Sequence, residues 1–233
     1  MKLAGEPREP HSSNNPSLPP MRRYAGQGRN GNVILEFAAV GPLMVIILLG
    51  VVGVGFTLSR SIQVTQVTRD AGKLFFDGVD LATPGNQRLV GRLGNGMGLA
   101  NDATGTIDTT GNGVVILSQI IKVGGNECAA GGYPSVGTCP NYNQLVIQKR
   151  IVIGNASLRA SSFGSPQQSL ITADGSILPS DFVRDASVLV PLTATPQILN
   201  LATGQFTYGS ESYFRMPPLL NFLANDSYAF LLL

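Results

Sequence analysis

The pattern of apolar and polar positions divides the chain into four parts. Residues 1–31 are polar and basic, and residues 32–58 are almost entirely apolar. Residues 59–82 alternate at helical spacing, and residues 83–233 carry short apolar runs bounded by Gly, Pro and Asn. These parts predict a leader segment, a transmembrane helix, an amphipathic extension of that helix and an exported head domain. The predicted class is α+β: a long N-terminal helix, transmembrane in its first half, followed by a mostly antiparallel β head.

The main apolar segment is long enough to cross a membrane. From Phe37 to Leu58 the chain has 22 residues without a charged side chain, and at roughly 1.5 Å per residue they span a hydrocarbon core of about 30 Å. Pro42 lies inside this segment and removes one helical hydrogen bond, so we expect a kink there. Glu36 stands at its start. An ionised carboxylate costs about 2.5–3.5 kcal/mol at the bilayer centre, so Glu36 is either hydrated or protonated at the membrane edge, or functional within the membrane.

Basic residues before the apolar segment predict its orientation. Residues 1–31 hold five Lys and Arg against two Glu, whereas the rest of the chain holds eleven against twelve Asp and Glu. We therefore expect a cytoplasmic N-terminus and an exported head. The apolar run exceeds the about 7–15 residues of a secretory signal core, which favours a retained helix. Residues 1–20 are rich in Pro, Ser and Asn, and translation starts at either Met1 or Met21.

Beyond Arg60 the helix is expected to become amphipathic and to pack on the head. The whole helix is predicted from Val33 to about Asp80, ended by Thr83-Pro84-Gly85. Its apolar stripe consists of Val64, Val67, Ala71, Leu74 and Gly78, with Phe75 beside it.

The head is predicted to be mostly β-structure. Runs rich in Val, Ile and Thr predict strands at Val114–Val123, Gln144–Ile153, Ser187–Thr193 and Thr203–Tyr208, and the apolar tail predicts a terminal strand over Tyr228–Leu233. The Gly-rich residues 91–113 lack the spacing of a phosphate loop and are interpreted as a surface loop.

Composition argues against catalysis, cofactors and nucleic acid. The single histidine is His11, before the apolar segment, so a mature head has no histidine for a catalytic triad or a usual zinc site. The acidic residues Asp102, Asp108, Asp181 and Asp185 lack the spacing of a calcium loop and are expected in turns. A net charge of +2 leaves a head without a basic patch for nucleic acid. We expect no enzyme, no metal and no cofactor.

Cys128 and Cys139 are the two cysteines of the chain. In an oxidising periplasm they are expected to form a disulfide, although two free thiols are the alternative. Closing a loop of this size contributes on the order of 3 kcal/mol to stability. The Gly- and Pro-rich residues between them favour a protruding loop.

Residues 31–58 resemble the N-terminus of type IV pilin-like proteins. Gly31 precedes Asn32-Val33-Ile34-Leu35-Glu36, so cleavage between Gly31 and Asn32 would make Glu36 the fifth mature residue. The phrase Leu35-Glu36-Phe37-Ala38-Ala39-Val40-Gly41-Pro42-Leu43 most resembles the TadE-like minor pseudopilins of tight-adherence pili. The resemblance covers about residues 22–80, and Asn32 differs from the Phe or Met usual at the first mature position.

This resemblance implies an assembly subunit of the bacterial inner membrane. Its implied partners are a prepilin peptidase, the major pilin, other pseudopilins, the inner-membrane assembly platform and membrane lipid. Glu36 is implied to pair with the freed α-amino group of a neighbouring subunit, because a charge in lipid is tolerated only when it is paired. Three alternatives stay open: a surface adhesin, a membrane-anchored periplasmic enzyme and a static envelope protein with an uncleaved anchor.

Overall fold

The computed structural model describes residues 30–191, 200–215 and 226–233. The predicted α+β class is confirmed, because a long N-terminal helix precedes an antiparallel four-stranded sheet. The chain divides into two units, Met1–Leu48 and Leu49–Leu233. The described helices are α1 (Asn30–Phe76), α2 (Pro84–Leu93), α3 (Gly125–Ala130) and α4 (Pro179–Phe182), and the strands are β1 (Gly113–Lys122), β2 (Leu145–Gly154), β3 (Phe206–Phe214) and β4 (Ser227–Leu232).

Helix α1 starts before Val33, its predicted first residue, and ends before Asp80, its predicted end. The reason for the earlier end is Gly78, whose φ of 80° is a left-handed conformation that favours glycine. The amide of Val79 then donates back to the carbonyl of Leu74 at 3.0 Å, as in a Schellman cap. Gly78 was predicted on the buried stripe and is instead exposed, so that prediction is wrong.

The four strands lie in the order β2-β1-β3-β4, and every neighbouring pair is antiparallel. Strands β1 and β2 confirm the predicted runs to within one residue at each end, and β4 confirms the predicted terminal strand. Strand β3 starts at Phe206, later than predicted, and continues to Phe214.

The strand predicted over Ser187–Thr193 is wrong where the structure describes it. Ala186–Val188 forms a short 3-10 turn, and Leu189 makes only an isolated bridge to Val146 of β2. Residues 192 and 193 lie outside the described ranges. The apolar residues Val188 and Val190 are buried against the sheet, and this burial explains their strand-like composition.

One face of the sheet packs against the second half of α1. The buried residues Val64, Val67, Ala71 and Phe75 of α1 share a core with strand residues such as Val115, Leu117, Ile151 and Ile153. Gly72 allows this close approach, since a Cβ at that position would lie 3.0 Å from the Cβ of Ser210. The amphipathic stripe therefore anchors the second half of α1 to the sheet, and both belong to the second unit, Leu49–Leu233.

The opposite face of the sheet is covered by α3, α4 and the connections around them. Phe163, Phe182, Val183 and Val188 are buried there with Ile120 and Ile147 of the sheet. The Phe163 ring lies on the sheet where Gly209 has no side chain, and a Cβ there would lie 2.6 Å from the ring. The head thus has two apolar cores, one on each face of a single sheet.

Helix α2 is an element that the sequence reasoning missed. Pro84 was interpreted only as the residue that stops the preceding helix, but it is the first residue of α2. Proline suits this position because its fixed φ is helical and its missing N–H is not needed there. Gly91 lies against the carbonyl of Gly105, which holds the Gly-rich connection close to α2.

Candidate functional site

The first part of α1 carries the residues that the sequence singled out for processing and assembly. Gly31 and Asn32 lie in the first turn of α1, and Glu36 lies one turn further on, with its side chain exposed. Pro42 is inside α1, and the helix continues on both sides of it. The structure therefore places the four predicted positions on one continuous helical segment.

The surface of this segment is apolar all around the helix. Large apolar side chains between Ile34 and Leu58 are exposed, and α1 is, among the described residues, the one helix long and apolar enough to cross a membrane. A helix that is apolar on every side is stable only where apolar surroundings replace water. In α1 the exposed apolar part passes directly into the stripe that packs on the sheet, so the helix is suited to link a bilayer to the head.

Cys128 and Cys139 are joined by a disulfide with an S–S distance of 2.02 Å. Both cysteines are buried in the core that covers the sheet face opposite α1. Gly131, between them, lies so close to Val183 that a Cβ would come within 2.4 Å of that side chain. The base of the loop is therefore fixed to the head, while residues 134–138 are exposed.

Two buried charges on the sheet were missed by the sequence reasoning. Glu211 of β3 is 2 % exposed and Arg150 of β2 is 6 % exposed. The Glu211 carboxylate accepts hydrogen bonds from the Ser162 amide at 2.9 Å, the Ser162 hydroxyl at 2.6 Å and the Tyr228 hydroxyl at 2.8 Å. The hydroxyl of Ser161 is a further donor to it. A buried carboxylate with this many donors is satisfied rather than poised for chemistry.

Arg150 binds the same segment as Glu211, residues 161–164, at a second point. Its Nη2 donates to the carbonyl of Gly164 at 3.1 Å. Burial lowers the pKa of Arg150 to about 10, and the negative charge of Glu211 opposes part of that shift. Residues 161–164 are thus fastened to two strands by two charges of opposite sign. The polar residues Gln148-Lys149-Arg150 interrupt the apolar run of β2, but this local pattern does not show which of the three is buried. Glu211 lies in a strand with several other polar residues, so no local signal pointed to it.

Aromatic side chains continue this polar cluster towards β4. The guanidinium carbon of Arg159 lies 3.9 Å from the centre of the Tyr228 ring, a cation–π distance. Burial raises the pKa of Tyr228, and its hydroxyl donates to Glu211. The cluster therefore ties the 159–164 connection, β3 and β4 together.

The four acidic residues that were ascribed to surface solvation or turns lie in turns or connections, except Asp181, which lies in α4. The Asp102 carboxylate accepts from the Thr104 hydroxyl at 2.7 Å and from the Thr106 amide at 3.1 Å, and these bonds lower the pKa of Asp102 to about 2. Asp108 binds Thr110 in the same way, and Asp185 accepts from the Ser187 amide at 2.7 Å. Asp181 forms an ion pair with Arg184 at 3.1 Å. Within the described ranges, no group of three or more His, Cys, Asp or Glu side chains could hold a metal ion.

Among the described residues, these features are one long apolar helix that could anchor the chain in a membrane and an α+β head. In a comparison with known proteins, residues 31–73 match the model of the family described as TadE-like protein. The match covers Gly31, Asn32, Glu36 and Pro42 and confirms the resemblance that these residues carry in the sequence. No curated protein and no solved structure matches the chain.

Proposed function

We propose that this protein is a membrane-anchored assembly subunit, a minor pseudopilin, of a tight-adherence pilus. The observation that carries the proposal is the arrangement along α1. Residues 31–73, which match the TadE-like family, lie in one unbroken helix. This helix begins with the exposed apolar part and leads into the stripe buried against the head. Such a subunit needs a part that stays in lipid or in a helical bundle and a part that presents a folded domain outside it. Family likeness also favours a structural role over an enzymatic one.

Processing between Gly31 and Asn32 is the first step of the proposed mechanism. Cleavage by a prepilin peptidase on the cytoplasmic side removes the basic leader, leaves a new α-amino group on Asn32 and makes Glu36 the fifth residue of the mature chain. Positive charge before the apolar segment supports the N-in orientation that this cleavage requires. The head then lies in the periplasm.

Glu36 is the proposed recognition group for assembly. Its side chain points away from the α1 backbone at the edge of the apolar segment, where it is exposed. A carboxylate in apolar surroundings is costly unless it is paired, so a neighbouring subunit that supplies a cationic amino group is favoured over one out of register. The major pilin, other pseudopilins and the assembly platform are the proposed partners.

The N-terminus of the mature protein tests the proposal. The full-length protein is expressed with and without a prepilin peptidase, and its N-terminal peptide is identified by mass spectrometry. We expect an end at Asn32 only when the active peptidase is present. A chain that keeps residues 22–31 in the presence of the peptidase contradicts the proposed mechanism and leaves a static membrane anchor.

A further inference from the structure

Strand β3 runs along α1 in the opposite direction. The Ser210 hydroxyl of β3 donates to the Thr68 carbonyl of α1 at 2.8 Å. Further along α1, the Phe75 ring lies 5.3 Å from the ring of Tyr208, which precedes Ser210 in β3. The C-terminal end of β3 therefore points towards the apolar segment of α1. Residues 49–58 of that segment belong to the same unit as the head, Leu49–Leu233, so their position relative to the sheet is defined.

The sheet ends close to the level at which the apolar segment ends. Thr68 lies ten residues after Leu58, which is about 15 Å of helix. Phe214, the last residue of β3, lies four residues after Ser210, which is about 13 Å of strand. Burial agrees, because Leu58 is 60 % exposed whereas Val64 is 1 % exposed in the core between α1 and the sheet. A headgroup layer is about 5–8 Å thick on each side of a bilayer, so an apolar segment that ends at Leu58 puts this end of the sheet at headgroup level.

Two arginines and two tyrosines lie together at this end of the sheet. Tyr213 of β3 is paired with Tyr228 of β4. The guanidinium carbon of Arg159 lies 3.9 Å from the centre of the Tyr228 ring and 5.6 Å from the centre of the Tyr213 ring. Arg215 interacts with the Tyr213 hydroxyl. We call Arg159, Tyr213, Arg215 and Tyr228 the arginine–tyrosine cluster.

The Arg159 side chain is exposed and is positioned by the two rings. Within the part of the chain that the structure describes, its guanidinium forms no hydrogen bond and no ion pair with another side chain. A guanidinium carries five N–H donors in one plane, and their geometry matches the oxygens of a phosphate group. Stacking on the rings leaves these donors available and limits the freedom that the side chain loses when a phosphate binds.

The charge of the head differs between its two ends. The charged residues nearest the end of β3 are Arg60, Arg92, Arg159 and Arg215 against Asp102, Asp108 and Asp226. Those nearest the opposite end of the sheet are Lys122 and Arg184 against Asp77, Asp80, Glu127, Asp181 and Asp185. Residues 192–199 and 216–225, outside the described ranges, contain no charged side chain, so they do not alter this balance. The more positive end of the head therefore lies level with the end of the apolar segment.

We propose that the arginine–tyrosine cluster binds the phosphate groups of membrane lipids and holds this end of the head against the bilayer surface. Arg159 and Arg215 bind phosphate oxygens, while Tyr213 and Tyr228 lie at the headgroup level, where tyrosine is enriched in membrane proteins. Anionic phospholipids are the preferred class, because basic residues near a surface are attracted to its net negative charge. This inference rests on the proposed function in one respect, the membrane anchor formed by α1.

Spin labels on the full chain in lipid vesicles test the proposal. The vesicles contain phosphatidylcholine, phosphatidylglycerol and a lipid with a nickel-chelating headgroup, which relaxes labels near the bilayer surface. The label at Ala160→Cys lies beside the cluster, and the control label at Thr203→Cys lies at the opposite end of the sheet; both positions are exposed. We expect strong relaxation at residue 160 and little at residue 203. Equal relaxation of the two labels overturns the proposal.

A matched pair of variants tests the role of the arginines. The double variant Arg159→Gln, Arg215→Gln should lower the ratio of docked to undocked heads about fivefold for each arginine removed. Arg184→Gln is the control, because Arg184 is an exposed arginine at the opposite end of the head. Equal ratios in the double variant and the control overturn the proposal. High salt should also weaken docking of the unchanged protein, and this measurement decides the result if the double variant does not fold.

The remaining outcomes separate lipid from other occupants. Inorganic phosphate that binds the cluster in detergent micelles, with the label at residue 160 remote from the vesicle surface, identifies a free anion site and overturns the lipid assignment. A label at residue 160 that is shielded from both dissolved oxygen and water-soluble nickel means that the chain itself covers the cluster, which also overturns it.

A third label, at Val54→Cys in the apolar segment, reports on the anchor. Lipid contact at residue 54 without contact at residue 160 overturns this inference alone. Absence of lipid contact at residue 54 overturns the membrane anchor as well. Failure of the cluster and failure of the proposed function are therefore distinguishable.

Discussion

The hydroxyl of Ser210 on β3 donates a hydrogen bond of 2.8 Å to the backbone carbonyl of Thr68 in α1. Both residues are buried, and they are separated by 142 positions in the chain. A buried hydroxyl in this position is satisfied by a carbonyl that already belongs to a helix, so α1 and β3 can approach closely without an unpaired polar group. Gly72, one turn after Thr68, makes the same approach possible.

Gly72→Ala should destabilise the head. Its new Cβ would lie 3.0 Å from the Cβ of Ser210 and 3.4 Å from Cδ1 of Leu233, which is tighter than ordinary packing. Overpacking of this kind costs about 1–3 kcal/mol and outweighs the gain in helix propensity. Gly85→Ala in α2 is the control, since nothing lies within 4 Å of its Cβ. Urea unfolding of both variants in detergent measures the difference, and equal stability contradicts the prediction.

Glu211→Ala should destabilise the head more than most single changes. It leaves Ser162 and Tyr228 without their acceptor and leaves the buried guanidinium of Arg150 without its nearby negative charge. Breaking a buried charge arrangement by removing one member costs about 3–5 kcal/mol. Ser162→Ala is the comparison, because Glu211 keeps the Ser161 and Tyr228 hydroxyls and the residue-162 amide. Equal losses of stability in the two variants would contradict the prediction, since removing Glu211 would then cost no more than removing one of its donors.

Removal of the disulfide should lower stability without changing the first part of α1. A Cys128→Ser, Cys139→Ser double variant loses a restraint on the unfolded chain that is worth about 3 kcal/mol. Thermal unfolding with and without reductant measures the effect, and the double variant should not respond to reductant. An unchanged midpoint in the reduced wild-type protein would contradict the prediction.

Acid should weaken the turn that covers β2. The Asp174 carboxylate accepts from the hydroxyls of Thr172 and Ser176, and these bonds lower its pKa from 3.8 to about 2. A depressed carboxyl pKa contributes stability that is complete above the unfolded value and is lost as pH falls through the folded value. Stability should therefore decrease between about pH 4 and pH 2, and less so in Asp174→Asn. Urea midpoints at several pH values check this, and parallel pH profiles argue against it.

Glu36→Ala should affect assembly rather than folding. The side chain lies in the first unit, Met1–Leu48, and belongs to neither apolar core, so membrane insertion and cleavage should be normal. Incorporation into fibres should fall sharply, since the variant cannot pair with the α-amino group of a neighbour. Glu36→Asp keeps the charge and serves as the control. The measurement is the amount of the protein in purified pili, and normal incorporation of Glu36→Ala would refute the pairing role.

The elements with strong local patterns were predictable from the sequence. Strand β1 is a run of Val and Ile without a competing signal, and α1 combines a membrane-length apolar run with a helical stripe. Their boundaries depended on single residues. The left-handed conformation of Gly78 ends α1 earlier than predicted. Pro84 is compatible both with the end of one helix and with the first residue of the next, and only the surrounding packing distinguishes the two.

Long-range relationships were not predictable from local pattern. Val188 and Val190 look like strand residues because they are buried, yet they belong to a turn and a connection that cover β2. Arg150 and Glu211 are ordinary charged residues in the sequence, and nothing local indicates that the sheet register and the 161–164 connection bury them. The N-terminal candidate residues, from Gly31 to Pro42, could be singled out because they lie close together in the chain. The polar cluster around Glu211 could not, because it joins distant positions such as Arg150 and Tyr228, which are 78 residues apart.

The covered edge of β2 limits how the head can associate. Growth of a β-ribbon from subunit to subunit needs two open edges on each member, and here the turn at residues 172–176 and the connection at 189–190 occlude one of them. Heads of this kind therefore cannot propagate a continuous sheet from one subunit to the next.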